Sequence, residues 1–130
     1  MQVFRICKDI YGEDLLGTGA KMVGGRWNFK GIAVLYTSQS IALSMLECMA
    51  HFPVAFAPKN MVLTTIEIPD DFIEVSLKTL PDNWRDVPSP KALKVMGLDW
   101  VKDKSALALK VPSTIVANEF NYVINPYHKL

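Results

Sequence analysis

Glycine is concentrated in one part of this chain, because six of its seven glycines fall between residues 9 and 31. Glycine weakens helix and strand interiors, since it loses more conformational freedom on folding than any other residue. The segment therefore predicts a long irregular loop with room for one helical turn. Long loops in compact domains are mostly functional or disordered. The adjacent Arg26 and Trp27 favour an ordered, functional loop here.

The first half of the chain predicts two strands and one helix around this loop. Residues 2–7 alternate as a strand does, and residues 32–37 are rich in the β-branched and aromatic residues of a buried strand. A helix is predicted from an N-cap at Ser38 or Ser40 to about His51, because its apolar residues recur on one side. The helix is predicted to be closed by two prolines, Pro53 and Pro58.

The second half predicts one further helix and several strands. The helix covers residues 89–103, with Ser89 as its cap, Pro90 at its first position and Gly97 as a candidate break. Strands are predicted at 61–68, 72–77, 105–111 and once or twice within 111–126. Because strands and helices do not alternate regularly, the order favours an α+β domain with mixed sheets and few helices over a doubly wound parallel sheet.

Composition is that of one globular domain, spanning residues 1–130 with 50% hydrophobic and 21% charged residues. The net charge of +1 argues against non-specific nucleic-acid binding through clustered Lys and Arg. No apolar run predicts a membrane span, and the first residues do not resemble a signal peptide. Cys7 and Cys48 lie in apolar contexts that favour free core thiols in a reducing compartment. A cytoplasmic protein is therefore expected.

The stretch VGGRWNFKG contains the first candidate for binding chemistry. Gly24 and Gly25 allow a ligand to approach the backbone closely. The planar guanidinium of Arg26 suits a phosphate or a carboxylate. The spacings of the familiar nucleotide-binding loops are absent, so the spacing alone is a weak signal. Trp27 is interpreted as a core anchor for the loop, and Asn28 as a turn residue.

Tyr36 and Glu47 each allow a structural and a functional interpretation. Tyr36 ends a predicted strand, where it either is buried with a satisfied hydroxyl or packs its ring on a flat ligand. Glu47 lies in the most apolar helix of the chain. Its carboxylate either faces water on the polar side of that helix or lines a pocket as a catalytic or substrate-orienting group.

Other polar side chains carry weaker signals. Glu47 and His51 are four residues apart, but no further His or Cys cluster supports a metal site, so no metal is expected. Cys48 has no supporting His or Asn for a nucleophile. Ser113 follows a proline, as a turn serine does. Asn121 is more polar than its strand-like context requires, so it is predicted to cap or to bind a ligand.

Several of these motifs, in this order, resemble the RES-domain toxins, the toxic half of bacterial toxin–antitoxin pairs. The resemblance rests on GGRWN, LYTS and LE in the first half and on VPS, NY and NP in the second, and it runs over nearly the whole chain. The family is named for an Arg, a Glu and a Ser, which fall on Arg26, Glu47 and Ser113. The resemblance implies a fold similar to that of the ADP-ribosyltransferase toxins.

The resemblance also implies an enzyme that destroys NAD⁺ by breaking the bond between nicotinamide and ribose. Glu47 would then stabilise the positive charge that develops on the ribose. Arg26, together with Arg5, would hold the pyrophosphate, and Tyr36 would stack on nicotinamide. Ser113 would either bond the ribose or orient the carboxylate. Asn121 is included among the residues expected to bind NAD⁺.

The implied ligands and partners leave several alternatives open. NAD⁺ is expected as a substrate, with no resident cofactor. The acceptor is water, inorganic phosphate or a protein side chain, and a catalytically inactive antitoxin-binding module is the non-enzymatic alternative. The family implies a DNA-binding antitoxin of the Xre type as partner. A homodimer is an open expectation, and direct contact with nucleic acid or with a membrane is not expected.

Overall fold

A computed structural model describes residues 1–50 and 59–128 of the chain, and it shows a single α+β domain, as the sequence predicts. In chain order the helices and strands are β1 Gln2–Lys8, α1 Thr18–Val23, β2 Leu35–Ser38, α2 Ile41–Ala50, β3 Met61–Glu67, β4 Phe72–Glu74, α3 Lys91–Asp103, β5 Ala108–Pro112 and β6 Phe120–Ile124. The described residues also include two 3₁₀ turns, Asp9–Tyr11 and Leu77–Thr79.

The strands form one mixed sheet in the order β3-β1-β2-β6-β5-β4. Within the described residues, β4 and β5 run parallel and the other neighbouring strands run antiparallel. Strand β1 pairs with β3 along its whole length, from Gln2 to Lys8. It meets β2 at a single register pair, Phe4 with Ser38. The sheet therefore opens between β1 and β2, and this opening lies beside the candidate site.

Alternate side chains of the sheet enter two hydrophobic clusters, as the period of two along a strand requires. On β6, Tyr122 and Ile124 join one cluster whereas Val123 joins the other. The cluster around Val123 also contains Leu93 of α3 and Trp27 of the glycine-rich segment. Trp27 is 2% exposed, so its predicted role as a core anchor is confirmed.

The glycine-rich segment is ordered and includes α1, in agreement with the prediction of one short helical stretch. Gly97, the candidate break within the predicted helix, does not interrupt α3, because the helix runs continuously from Lys91 to Asp103. A Cβ atom at Gly97 would overlap the carbonyl oxygen of Trp27. This glycine is needed because it lets α3 pack against the backbone of the loop.

The N-cap of α2 agrees with the sequence-based expectation, whereas that of α3 differs from it. Ser40 caps α2, since its Oγ accepts a hydrogen bond from the Leu43 amide at 3.1 Å. Ser89 does not cap α3, because Pro90 is the N-cap residue and no side chain bonds the first turn. The predicted end of α2 near His51, Pro53 and Pro58 lies outside the described residues.

Three predicted strands are shorter than expected. Strand β2 begins at Leu35, because the Ile32 amide donates to the carbonyl of Phe29 and closes a turn. Strand β4 ends at Glu74, and the residues after it enter the second 3₁₀ turn. Strand β5 begins at Ala108, because the Leu107 amide donates to the Asp71 carboxylate. No helix among the described residues is long and apolar enough to cross a membrane.

Candidate functional site

Glu47 lies on the half-buried side of α2 and is held by two hydrogen bonds to one of its oxygens. Ser113 Oγ donates to Glu47 Oε1 at 2.7 Å, and Asn121 Nδ2 donates to the same oxygen at 2.9 Å. Within the described residues Oε2 accepts no hydrogen bond. Ser113 directly follows β5, and Asn121 belongs to β6, where it pairs with Val111, two residues before Ser113. The β5–β6 pair therefore supplies both donors from one end of the sheet.

Ser113 is 2% exposed and uses its whole hydrogen-bonding capacity within the protein. Its Oγ accepts bonds from the amides of Ile115 and Val116, each at 3.0 Å. Because a hydroxyl has a single hydrogen, the one of Ser113 goes to Glu47. Of the two roles that the sequence leaves open for Ser113, this geometry favours orienting the carboxylate over bonding the ribose.

Asn121 is supported in turn by Ser38. The two residues face each other across the β2–β6 pair, and Ser38 Oγ donates to Asn121 Oδ1 at 2.7 Å. The amide of Asn121 thus accepts on one side and donates to Glu47 on the other. Ser38 is 4% exposed and carries no signal in the sequence that distinguishes it from an N-cap candidate.

Tyr36 uses its hydroxyl to close the glycine-rich loop. The hydroxyl accepts a bond from the Trp27 amide at 3.0 Å and donates to Asn28 Oδ1 at 2.5 Å. Burial raises the pKa of Tyr36, so the phenol stays neutral. With its donor and acceptor both engaged inside the loop, Tyr36 lines both cavities described below while its hydroxyl is already hydrogen-bonded.

The side chain of Asn28 bonds several segments at once, which the sequence did not reveal because an asparagine at this position was already explained as a turn residue. It is 1% exposed. Its amide nitrogen donates to the carbonyls of Ala20 and Ile32, each at 2.9 Å, while its oxygen accepts from Tyr36. One side chain thereby ties α1, the loop exit and β2 together.

Gly25 approaches a protein group, whereas the sequence suggested that its freedom serves a ligand. A Cβ atom at this position would lie 2.6 Å from the Tyr36 hydroxyl. Gly24 has a positive φ of 79°, which side chains other than glycine rarely adopt. Both glycines are therefore explained by the internal closure of the loop around Tyr36.

Arg26 is half-buried and tied to a neighbouring segment by one nitrogen. Its Nη1 donates to the carbonyl of Trp84 at 2.7 Å and to that of Asp86 at 3.2 Å. Nε and Nη2 make no hydrogen bond within the described residues. Burial lowers the pKa of Arg26, while the nearby Glu47 acts in the opposite direction. The guanidinium keeps one edge for an anion.

Lys94 is a second cation near Arg26 and was not predicted from the sequence. It lies on α3, and its ammonium group donates to the carbonyl of Gly25. Burial, and next the charge of Arg26, lower the pKa of Lys94. The contact holds the loop that carries Arg26 against α3. Lys94 and Arg26 come close only because α3 packs on this loop, so the sequence alone does not pair them.

Two cavities meet at Tyr36, Glu47 and Asn121. The larger, of about 470 Å³, is also lined by Arg26 and by the exposed Val87. The smaller, of about 160 Å³, lies at the opening between β1 and β2; its further lining includes Arg5, Ser44 and Cys48. Glu47 thus lines an open cleft from both sides, which is the arrangement expected of a ligand-binding site.

Arg5 lines the smaller cavity, whereas Arg26 lines the larger one. Arg5 Nη1 donates to the carbonyls of Asp14 at 2.8 Å and Tyr11 at 3.1 Å. The structure therefore brings five of the six predicted site residues to the lining of the two adjoining cavities, with Arg5 and Arg26 in different ones. The sixth, Ser113, lines neither cavity and reaches the site through Glu47.

The cysteines are free, as predicted, yet neither is a core residue, because both Cys7 and Cys48 are half-exposed. Burial raises the pKa of Cys48, with a smaller contribution from Cys7. A raised pKa keeps the thiol protonated and disfavours its use as a nucleophile. The partner of Glu47 in the weak metal motif, His51, lies outside the described residues.

The fold and the cleft define a class of protein: a small α+β domain with a hydrogen-bonded glutamate where two arginine-lined cavities meet. The RES domain family model matches residues 2–129, and the chain belongs to that family of toxins. It is 38% identical over 131 residues to Toxin Res of Yersinia enterocolitica, covering 99% of this chain and 86% of the relative.

Two further comparisons agree with this assignment. The chain is 39% identical over 120 residues to the Prs ADP-ribosylating toxin of a Sphingobium species, covering 89% of this chain and 74% of the relative. Its fold is similar to that in the crystal structure of the M. tuberculosis MbcT–MbcA toxin–antitoxin complex. There the TM-score is 0.81 at 17% identity, covering 99% of this chain and 76% of the other.

Proposed function

We propose that this RES-domain toxin cleaves NAD⁺ at the bond between nicotinamide and ribose. The observation that carries the proposal is the carboxylate of Glu47. Ser113 and Asn121 fix it through one oxygen, and it lies where the two cavities meet. A fixed carboxylate suits a reaction that builds positive charge on a sugar carbon.

In the proposed reaction the bond from ribose C1′ to the nicotinamide nitrogen breaks, and both electrons leave with nicotinamide. The leaving group starts as a cation and becomes neutral, so no general acid is required. The acceptor oxygen forms a bond to C1′ and releases its proton. Glu47 lowers the barrier by placing its negative charge beside the oxocarbenium-like ribose, an effect worth about 10²–10³ in rate for a preorganised group.

The remaining residues are assigned to binding. The free edge of Arg26 meets the pyrophosphate from the larger cavity, since a guanidinium fork matches phosphate oxygens. Arg5 approaches the same ligand from the smaller cavity. The ring of Tyr36, which lines both, provides a flat surface for nicotinamide. Ser113 and Asn121 act on Glu47 and hold the ligand only indirectly.

Transfer of ADP-ribose to a protein is the second candidate. It is favoured by the 39% identical relative that is named an ADP-ribosylating toxin. In that reaction a side chain of the target protein replaces water or phosphate as the acceptor. The larger cavity is bordered by Val87 and Ile115, which are 88% and 45% exposed, so its rim is open to a macromolecule.

The decisive experiment is incubation of the purified, antitoxin-free protein with NAD⁺ labelled in the adenylate part. Nicotinamide release in plain buffer indicates hydrolysis, and release that requires added phosphate indicates phosphorolysis. Label on a protein in a cell lysate indicates transfer. Glu47→Gln serves as the inactive control. No release and no labelling by correctly folded protein would rule out the proposal and leave the inactive antitoxin-binding module.

An antitoxin is the proposed partner, so that the chain is the toxin of a toxin–antitoxin pair. Relatives named Toxin Res and the fold shared with the MbcT–MbcA complex support it. An Xre-type DNA-binding protein is the proposed form of that antitoxin. Co-expression with the product of an adjacent gene should relieve growth arrest and yield a stable complex on gel filtration. Growth arrest that persists despite complex formation would contradict an inhibitory role.

A further inference from the structure

We propose that Ser38 is a positioning residue for Glu47 and acts through Asn121. The inference rests on the proposed function, because it concerns the same carboxylate. Ser38 donates to Asn121 Oδ1 at 2.7 Å, and Asn121 Nδ2 donates to Glu47 Oε1 at 2.9 Å. A continuous chain of two hydrogen bonds therefore runs from β2 through β6 to α2.

The amide of Asn121 has two ends, and only one of them can face a carboxylate favourably. With Nδ2 toward Glu47 the amide donates, whereas the reversed orientation would place Oδ1 against a negative oxygen. The Ser38 hydroxyl gives Oδ1 a donor on the opposite side. This bond stabilises the productive orientation and polarises the amide, since hydrogen bonds in a chain strengthen one another.

The alternation of side chains along β2 allows the role of Ser38 to be tested separately from the loss of a buried hydroxyl. Ser38 and Tyr36 are two residues apart on the strand, so they point to the same face of the sheet, which is the face of the candidate site. Thr37 is also among the residues that line the smaller cavity, but its side chain points to the opposite face, and valine in its place keeps the same shape. Thr37 is equally buried, at 3% exposure against 4% for Ser38, and its hydroxyl also makes a 2.7 Å bond, to the carbonyl of Tyr122.

Thr37 is therefore a matched control for the loss of one buried hydroxyl. Thr37→Val and Ser38→Ala each remove a 2.7 Å hydrogen bond that joins β2 to β6. A purely structural role of Ser38 would make the two variants alike in thermal stability and in turnover. A positioning role makes them alike in stability only.

The test measures kcat and KM for nicotinamide release together with thermal unfolding. Ser38→Ala should lower kcat roughly tenfold, less than the 10²–10³ typical of losing a direct donor, with KM within about twofold. Ser38→Thr retains the hydroxyl and should restore kcat. In an Asn121→Ala background, Ser38→Ala should cause no further loss, because two residues of one chain are not additive.

An unchanged kcat in Ser38→Ala, or an equal loss in Thr37→Val, would overturn the proposal. If the wild-type protein releases no nicotinamide, the proposed function fails, and a separate measurement still tests the chain of bonds. The side-chain amide of Asn121 is followed by ¹H–¹⁵N NMR. Its resonances should shift in both Ser38→Ala and Glu47→Ala and stay in place in Thr37→Val; no shift in Ser38→Ala would overturn the chain itself.

Discussion

The hydroxyl of Ser113 lies 2.7 Å from Glu47 Oε1 and donates the single hydrogen of the hydroxyl to that oxygen. The same hydroxyl accepts the amides of Ile115 and Val116. Ser113→Ala should therefore reduce kcat by about 10²-fold and reduce the free energy of unfolding by about 1–3 kcal/mol, since two amide donors lose their acceptor. Ser76→Ala, which removes a capping serine far along the chain, is the control and should leave kcat unchanged.

Glu47→Gln should abolish most turnover without unfolding the protein. The amide keeps the size of the side chain and still offers an oxygen to Ser113 and Asn121, but the negative charge beside the ribose is lost. A decrease in kcat of at least about 10²-fold is expected, with a small change in KM. The measurement is steady-state nicotinamide release, with circular dichroism as the folding control. Unaltered kcat would remove Glu47 from its assigned role.

Arg26→Ala should act mainly on KM, because the guanidinium is assigned to binding the pyrophosphate. A loss of tenfold or more in apparent affinity is expected, about 1.4 kcal/mol or more. Arg85→Ala is the matched control. Arg85 lies beside the segment that Arg26 bonds, where its guanidinium stacks 5.1 Å from the Trp84 ring. Equal effects of the two substitutions would point to general charge and away from a specific site.

Tyr36→Phe should retain turnover, whereas Tyr36→Ala should lose it. The ring faces the cavities, but the hydroxyl is engaged by Trp27 and Asn28. Comparison of kcat/KM for the two variants checks this. A Phe variant as inactive as the Ala variant would contradict this and would show that turnover requires the hydroxyl.

Alkaline pH should reveal the same buried hydroxyl. Burial raises the pKa of Tyr36 in the folded chain above its ordinary value near 10. The stabilisation from the neutral phenol is therefore complete below about pH 10 and is lost as the pH rises toward the folded-state value. Chemical denaturation between pH 9 and roughly pH 11 should show a steeper loss of stability for the wild type than for Tyr36→Phe. Parallel slopes would contradict this.

Gly97→Ala should destabilise the protein strongly, although alanine is the better helix former. An added Cβ would overlap the carbonyl of Trp27 and push α3 away from the loop. A loss of about 1–3 kcal/mol is expected for such overpacking. Gly19→Ala in α1 is the control, because a Cβ there meets nothing within 4 Å. Thermal unfolding should place the two variants on opposite sides of the wild type, or the packing argument is wrong.

Local pattern was sufficient for the elements whose cause is local. The alternation of β1, the one-sided apolar face of α2 and its Ser40 cap all follow from residues near each other in the sequence. The boundary errors arose where a distant group overrode the pattern. Strand β5 starts late because the Asp71 carboxylate accepts a hydrogen bond from the Leu107 amide. The reason for glycine at position 97 was equally hidden from the sequence, because the distant Trp27 backbone sets it.

The same difference between local and distant causes applies to the candidate site. Motif resemblance selected Arg26, Glu47 and Ser113, whereas the residues alone left Glu47 undecided between water and a pocket. Ser113 and Asn121 reach Glu47 across 66 and 74 positions of the chain. Such contacts depend on strand register, which no local pattern encodes. For this reason the supporting residues Ser38 and Asn28 became visible only in the folded structure.

The position of the two donors to Glu47 has a consequence for the timing of activity during synthesis. Ser113 and Asn121 follow Glu47 in the chain by 66 and 74 positions, and both depend on the pairing of β5 with β6. While these residues are still inside the ribosome, Glu47 has neither of the donors that fix it. The carboxylate of a nascent chain is therefore aligned only after β6 has emerged and has paired with β5.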